Sequence, residues 1–154
     1  HTAVCRLPVV AGKPERALFD LAVERFGATR PLFIGDRLDT DILGARRAGM
    51  ESVLVLTGID GPKQLLAAAA DSRPDYVLED LRGLAEPYPE IHDATDARGD
   101  RRIRVGDAVV LHRGSALRLE VPGAWIDRIR AAAAAVWGAG VPIYALDVAP
   151  ELYS

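Results

Sequence analysis

The apolar positions in the first half of the chain alternate between helix-like and strand-like spacing. This spacing predicts helices at 17–26, 41–48 and 62–69 and strands at 32–34, 52–56 and 75–78. Leu18, Leu21, Ala22 and Phe26 share one side of the first helix, which we therefore expect to be its buried face. Asp80 is predicted to cap a brief final helix. Strands that alternate with helices indicate a parallel sheet with helices on both faces.

The pattern changes after residue 85. Residues 86–102 are rich in proline and charge and show no apolar period, so we predict a linker there. Beyond it, the pattern predicts strands at 103–105, 108–112 and 116–121, a helix at 124–137 and a closing strand at 142–148. The expected organisation is an α/β region (1–85), a linker (86–102) and a small α+β region of βββαβ order (103–154).

Composition narrows the class of protein. The chain has 154 residues, of which 49% are hydrophobic and 27% charged, as in a folded globular protein. Its net charge of −3 offers no electrostatic basis for binding nucleic acid or an anionic membrane. No apolar run approaches the roughly 20 residues that a membrane-spanning helix requires. The single cysteine, Cys5, cannot form an internal disulfide, and we therefore expect a cytoplasmic protein.

Two carboxylates follow the first predicted strand. Asp36 comes directly after the apolar run 31–34, and Asp41 lies about one helical turn further on. In an open parallel sheet, ligands bind beyond the carboxyl ends of the strands. Hard carboxylate oxygens in that position suit Mg²⁺, which keeps several of its waters.

A cation precedes the first helix. Pro14 fits the first helical position and disfavours a helical conformation for Lys13. Lys13 is therefore expected in a loop at a helix N-terminus, where a phosphate is favoured. The alternatives without a functional role are that Asp36 and Asp41 cap a helix and that Lys13 is a solvent-exposed loop residue. A Walker-type loop is excluded, because its required glycine and Ser/Thr are replaced.

Other polar residues receive no functional role. Asp93, Asp96 and Asp100 lack the spacing of a calcium loop, so we interpret them as linker charge. The histidines lack the spacing of a zinc site.

Taken together, these stretches resemble the haloacid dehalogenase (HAD) superfamily, and more narrowly its capped subfamily IIA phosphatases. The resemblance rests on residues 12–14 (Gly-Lys-Pro), 35–42 (Gly-Asp-Arg-Leu-Asp-Thr-Asp-Ile), the small residues of 44–49, and 53–58 (Val-Leu-Val-Leu-Thr-Gly). It implies a HAD Rossmann-like parallel-sheet core, Mg²⁺ as cofactor, and hydrolysis of a small phosphorylated metabolite through an aspartyl-phosphate. It also implies roles for three residues. Lys13 would contact the phosphoryl group and the nucleophile, Asp36 would bind Mg²⁺ directly, and Asp41 would hold a metal-bound water or the lysine.

The family's nucleophile motif, Asp-x-Asp-Gly-Thr, does not occur in this sequence. The only Asp-x-Asp is Asp39-Thr40-Asp41, which follows a loop and continues as Ile42-Leu43. We therefore expect the nucleophile and the substrate-selecting cap upstream, and this chain to be an inactive C-terminal portion of a longer protein. Its own N-terminal fragment, as a second chain, is one expected partner. The alternative is a catalytically incomplete regulatory or interaction fragment.

Residues 103–154 resemble, more loosely, the GNAT-like extension of some actinobacterial HAD-type glycerol 3-phosphate phosphatases. This favours glycerol 3-phosphate as substrate, with phosphoglycolate or another small phosphate ester as alternatives. Residues 121–124 do not supply the Arg/Gln-x-x-Gly-x-Gly/Ala loop of acetyl-CoA enzymes. We therefore expect this region to be structural, a homodimer contact or a lid.

Overall fold

The computed structural model describes residues 12–154, which form two β-sheets and the helices packed against them. The first part contains α1 (Arg16–Phe26), β1 (Leu32–Gly35), α2 (Leu43–Arg47), β2 (Glu51–Val55), α3 (Pro62–Leu66) and β3 (Tyr76–Leu78). The second part contains β4 (Ile91–Thr95), β5 (Arg101–Val105), β6 (Ala108–Arg113), β7 (Ala116–Val121), α4 (Trp125–Trp137) and β8 (Asp147–Val148). A π-helical turn, Leu38–Ile42, leads directly into α2. Short 3₁₀ turns complete the chain at Ala70–Ser72, Leu81–Ala85, Ile143–Ala145 and Pro150–Leu152.

The first sheet has the order β1-β2-β3, and both strand pairs are parallel. The predicted mixed α/β architecture with a parallel sheet is therefore confirmed. Four of the five β2 side chains are buried, because this strand is central and covered on both faces. The carboxyl ends of all three strands lie at one edge of the sheet. Asp80 accepts a hydrogen bond from the Arg82 amide at 2.8 Å, as expected of the predicted cap.

The orientation of α1 differs from the prediction. Phe19 is the buried residue of this helix, and its ring lies 4.8 Å from the Phe33 ring, centroid to centroid. At Gly44 of α2, an added Cβ would come within 2.4 Å of the Phe19 ring, so this glycine lets the two helices approach. The four residues predicted to be buried are exposed instead: Leu18, Leu21, Ala22 and Phe26. The predicted face is wrong because the contact of Phe19 with Phe33 and Gly44 sets the rotation of the helix.

The second sheet has the order β4-β5-β6-β7-β8. Its pairs are antiparallel except for β7 and β8, which are parallel. Helix α4 packs against β5 and β6. The predicted closing strand at 142–148 is reduced to the two residues of β8, because a 3₁₀ turn occupies Ile143–Ala145.

Strand β4 lies within the predicted linker, 86–102, so this stretch also contributes a strand to the second sheet. All five β4 residues are exposed, and the strand therefore has no apolar alternation to reveal it. Its pairing with β5 is reinforced by an ion pair between Asp93 and Arg101. Asp96 pairs with Arg102, and Asp100 pairs with an arginine of β6. These acids therefore hold neighbouring strands together and are not linker charge.

The two parts of the chain share one apolar core. Its buried side chains come from both sheets and from α3 and α4, and they include Ile42, Leu54, Leu65, Ile103, Ile129 and Val136. Helix α4, with 13 residues, lies between the parts and contacts α3 and β3. Within residues 12–154, no helix combines the length and the apolar character that crossing a membrane requires.

Side chains of the second part also satisfy the free edge of β3. The Leu78 carbonyl faces β2, where it accepts from the Leu56 amide at 3.0 Å, so the backbone groups of Val77 point outward. The Val77 N–H donates to the Tyr88 hydroxyl at 3.0 Å, and its carbonyl accepts from Arg130 Nε at 2.9 Å. The buried Arg130 guanidinium lies 4.5 Å from the centre of the Tyr88 ring. Both polar groups at this position of the edge strand are therefore paired.

Candidate active site

Asp36 occupies the carboxyl end of β1. Its Oδ2 accepts a hydrogen bond at 3.1 Å from the Ile59 amide, which belongs to the loop after β2. An added Cβ at Gly58 would lie 2.1 Å from that oxygen, so the loop approaches closely only because residue 58 is glycine. Among the described residues, no protein donor contacts the other carboxylate oxygen, Oδ1. One hard oxygen of Asp36 is therefore available to a cation.

Asp41 is buried in the π-helical turn, with 3% of its surface exposed. Its Oδ2 accepts from the backbone amides of Asp36 and Arg37, both at 3.2 Å. An added Cβ at Gly35 would lie 2.3 Å from Asp41 Cβ, so this glycine gives the side chain room. These bonds fix the turn that carries Asp36, and they include the backbone contacts that the capping alternative expects.

Lys13 reaches the same carboxylate from the loop before α1. Its Nζ lies 2.7 Å from Asp41 Oδ1. The Lys13 side chain is 42% exposed, whereas the Asp41 side chain is 4% exposed. Lys13 is therefore ion-paired with a buried acid and is not merely solvated. The structure brings Lys13, Asp36 and Asp41 to one turn at the edge of the parallel sheet, where the sequence placed them.

Asp60 contacts this turn from the loop after β2, although it was not among the predicted site residues. Its Oδ2 accepts from the Leu38 amide at 2.7 Å, and its own amide donates to the Asp36 carbonyl at 3.0 Å. Its position in the sequence, as a polar residue beyond the end of β2, could have indicated Asp60 as a site residue. Because β1 and β2 are parallel neighbours, the residues that follow them meet at the same edge.

The outer side of the turn carries an exposed ion pair between Arg37 and Asp39, 3.0 Å apart. The hydrogen bond from Arg37 to Asp39, and then the charge of Asp39, raise the pKa of Arg37 above its ordinary value. The charges of Asp60 and Asp36 add to this effect. Carboxylates therefore dominate the potential around Arg37.

The donor set fits a hard cation such as Mg²⁺, but only in part. Asp36 offers one unpaired carboxylate oxygen, and Mg²⁺ is commonly held by one or two carboxylates, waters and phosphate oxygens. Within residues 12–154, no group of three or more histidine, cysteine, aspartate or glutamate side chains could enclose a metal. Among the described residues, the Asp36 carboxylate is therefore the ligand that this turn would offer to such a cation.

Comparison with known proteins identifies the family. Residues 10–84 match the HAD-hydrolase-like family model. D-glycerol 3-phosphate phosphatase of Mycobacterium tuberculosis is 38% identical over 139 residues, covering 90% of this chain and 39% of that protein. Phosphoglycolate phosphatase 2 of Arabidopsis thaliana is 42% identical over 73 residues, covering 46% of this chain and 24% of that protein.

A solved structure extends the similarity to the second sheet. The glycerol phosphate phosphatase of M. tuberculosis, in complex with magnesium, matches with a TM-score of 0.65 and 33% identity. The match covers 96% of this chain and 42% of that one, so this chain spans less than half the length of these relatives. The relatives are named phosphatases, and HAD phosphatases are phosphoric monoester hydrolases. Residues 10–84 therefore belong to the HAD-like hydrolase family, and most of the chain is similar to a glycerol phosphate phosphatase.

Proposed function

We propose that this chain supplies the cationic and metal-binding half of a Mg²⁺-dependent phosphomonoesterase. The observation that carries the proposal is the ion pair of Lys13 with the buried Asp41, formed on the turn that presents Asp36. A phosphate ester carries negative charge that increases on its outer oxygens during transfer. A fixed ammonium group and a carboxylate-bound divalent cation are suited to stabilise that charge.

Each of the three residues has a separate role in this proposal. Asp36 would hold Mg²⁺ through Oδ1, and the ion would supply positive charge next to the phosphoryl group. Lys13 binds a phosphoryl oxygen and offsets the charge of the nucleophile. Asp41 keeps the Lys13 ammonium in place and fixes the turn beneath Asp36. The nucleophilic aspartate comes from an Asp-x-Asp-Gly-Thr segment outside this chain.

The substrate is a small phosphate monoester. Glycerol 3-phosphate is favoured, because the relative that matches 90% of this chain is a D-glycerol 3-phosphate phosphatase. Phosphoglycolate is the alternative, supported by the relative that matches 46% of the chain. Comparing the kcat/KM values for the two esters with one enzyme preparation would decide between them.

The segment that completes the site is proposed to cover α1. Three large apolar side chains of this helix are exposed: Leu18, Leu21 and Phe26. Leu32, in the outer strand β1, is also 44% exposed. A nucleophile-bearing segment, in the same chain or as a bound second chain, would bury this surface. Native mass spectrometry tests the two-chain form, which a lone 16.5 kDa species would contradict.

The remaining proposals concern location and the second region. The single cysteine supports a cytoplasmic setting. We also propose a GNAT-like ancestry for residues 103–154 and a homodimer contact through them. The competing function, an interaction fragment with a vestigial metal site, is favoured by the missing nucleophile motif.

Substitutions in the protein that includes the nucleophile segment separate these two functions. Asp36→Asn and Lys13→Ala should each lower Mg²⁺-dependent turnover by about 10²–10³-fold, because each removes a fixed charge at the transition state. Asp71→Asn is a suitable control, since the Asp71 side chain is exposed and accepts a hydrogen bond from its neighbour Ser72, outside the turn of Asp36. An Asp36→Asn enzyme with full Mg²⁺-dependent activity would contradict the proposed phosphatase site.

A further inference from the structure

We propose that Asp60 is a positioning residue that aligns Asp36 for its metal; this rests on the proposed function. Asp60 bonds to the chain at Asp36 and again at Leu38, where the π-helical turn begins. Its amide donates to the Asp36 carbonyl at 3.0 Å, and its Oδ2 accepts from the Leu38 amide at 2.7 Å. One residue of the β2 loop therefore holds the β1 loop at two points.

The Leu38 amide needs a partner from elsewhere in the chain. Leu38 begins the π-helical turn, and the preceding residue, Arg37, provides no side-chain cap. The first amides of a helix have no partner within the helix. Asp60, 22 residues further along the chain, supplies the missing acceptor. A carboxylate at a helix N-terminus is also favoured by the helix dipole.

The same contacts determine which oxygen of Asp36 faces a metal. The regular pairing of β1 with β2 ends at Gly35 and Leu54. Beyond that point, the two bonds of Asp60 keep the loops together, so the Ile59 amide can donate to Asp36 Oδ2 at 3.1 Å. That bond occupies Oδ2 and leaves Oδ1 for the cation. Without the Asp60 side chain, only its backbone bond to the Asp36 carbonyl would remain, and the Asp36 carboxylate would be held less firmly.

The test uses Mn²⁺ as a paramagnetic substitute for Mg²⁺ and the whole chain labelled with ¹⁵N. Mn²⁺ accepts the same hard oxygen ligands as Mg²⁺. In the unsubstituted chain, Mn²⁺ should broaden the amide signals of the turn, those of Asp36, Arg37 and Ile59. The Mn²⁺ concentration that halves these signals is the readout, and it requires no catalytic activity.

Asp60→Ala should raise this concentration about tenfold, as expected when a group that orients a metal ligand is removed. Asp60→Asn keeps an acceptor for the Leu38 amide and should stay within about threefold of the unsubstituted chain. Asp39→Ala, which removes an exposed acid of the same turn, should stay within about twofold, because exposed charges are screened. The Ile129 amide in α4 reports whether each variant is folded. If Asp60→Ala is unfolded, Asp60→Val, which also lacks an acceptor, replaces it with the same expected rise.

Two outcomes would overturn the proposal. The first is an unchanged Mn²⁺ concentration in folded Asp60→Ala or Asp60→Val. The second is an equal loss in Asp60→Asn, since that would assign the effect to charge and not to the hydrogen bond. Asp36→Asn tests the metal site itself. If it leaves the broadening unchanged, the proposed function fails, whereas lost broadening with an unaffected Asp60→Ala refutes the role of Asp60 alone.

Discussion

Arg130→Met tests whether the second part of the chain stabilises the edge of the parallel sheet. Arg130 is 9% exposed, donates to the Val77 carbonyl at 2.9 Å and lies 4.5 Å from the Tyr88 ring centre. It also pairs with Asp127 at 2.8 Å. Methionine keeps much of the apolar contact of the side chain but removes its charge and donors, so the substitution isolates the polar contacts.

The expected loss of stability follows from these contacts. A hydrogen bond from a charged donor contributes about 1.5–3 kcal/mol, and the buried carbonyl of Val77 would lose its partner. The cation–π contact with Tyr88 adds about 1–2 kcal/mol when desolvated. Because such contributions of one side chain are not additive, we expect Arg130→Met to lower the free energy of unfolding by about 3 kcal/mol.

Urea unfolding followed by circular dichroism measures this change. With an m-value of about 2 kcal/mol/M, the midpoint should fall by about 1.5 M. Arg128→Met is the matched control on the same helix, because the side chain of Arg128 is partly exposed and, among the described residues, donates to the Ser154 carbonyl and to no group of the β3 edge. It should lower the free energy of unfolding by less than about 1 kcal/mol. The reasoning would be refuted if both variants lost the same free energy of unfolding, or if Arg130→Met lost less than about 1 kcal/mol.

Two further substitutions examine the site and the second sheet. Gly58→Ala should weaken Mg²⁺ binding at least about tenfold by forcing the Asp36 carboxylate to move, as a disturbed metal ligand does. Calorimetric titration with Mg²⁺ measures this change. The control is Gly61→Ala, whose Cβ would lie 3.6 Å from its nearest neighbour and should leave binding unchanged. Equal effects of the two substitutions would contradict the steric argument. The hydrogen bond from Arg101 lowers the pKa of Asp93. The pair therefore stabilises the folded state at pH values above the ordinary aspartate pKa, near 4, and this stabilisation is lost as the pH falls below that value and Asp93 becomes protonated. Asp93→Asn should therefore flatten the decrease in Tm between about pH 5 and 2, and an unchanged slope would argue against the pair.

The elements of the first sheet were predictable because each of its strands is a short apolar run in a helix–strand alternation. Strand β4 was not, since its stability comes from pairing with β5 and from an acid–arginine contact across the strands. The rotation of α1 was also hidden. Four apolar positions suggested one face, whereas a single ring, Phe19, packs into the space above Gly44. Spacing along a chain reveals what an element can bury but not which neighbour it meets.

The convergence of Lys13, Asp36 and Asp41 was predictable from their positions at the ends of a strand and a helix. Their individual bonds were not. The contact of Asp60 with Leu38 joins residues 22 apart, and it depends on how two loops pass each other beyond their strands. Local sequence carries no signal for such a contact. Only the general rule that residues beyond neighbouring parallel strands meet at one edge points toward it.

The paired edge of β3 also affects how the protein can be divided. An open edge strand is a template on which another chain can add a strand. Here the Tyr88 hydroxyl and the Arg130 guanidinium occupy the amide and carbonyl of Val77. A polypeptide cut after residue 85 would lose both groups, together with the α4 side of the apolar core. Such a piece would retain the motifs of the family and yet tend to associate with copies of itself through β3. The second region therefore pairs the edge of β3 within the molecule and would limit the addition of another chain along that strand.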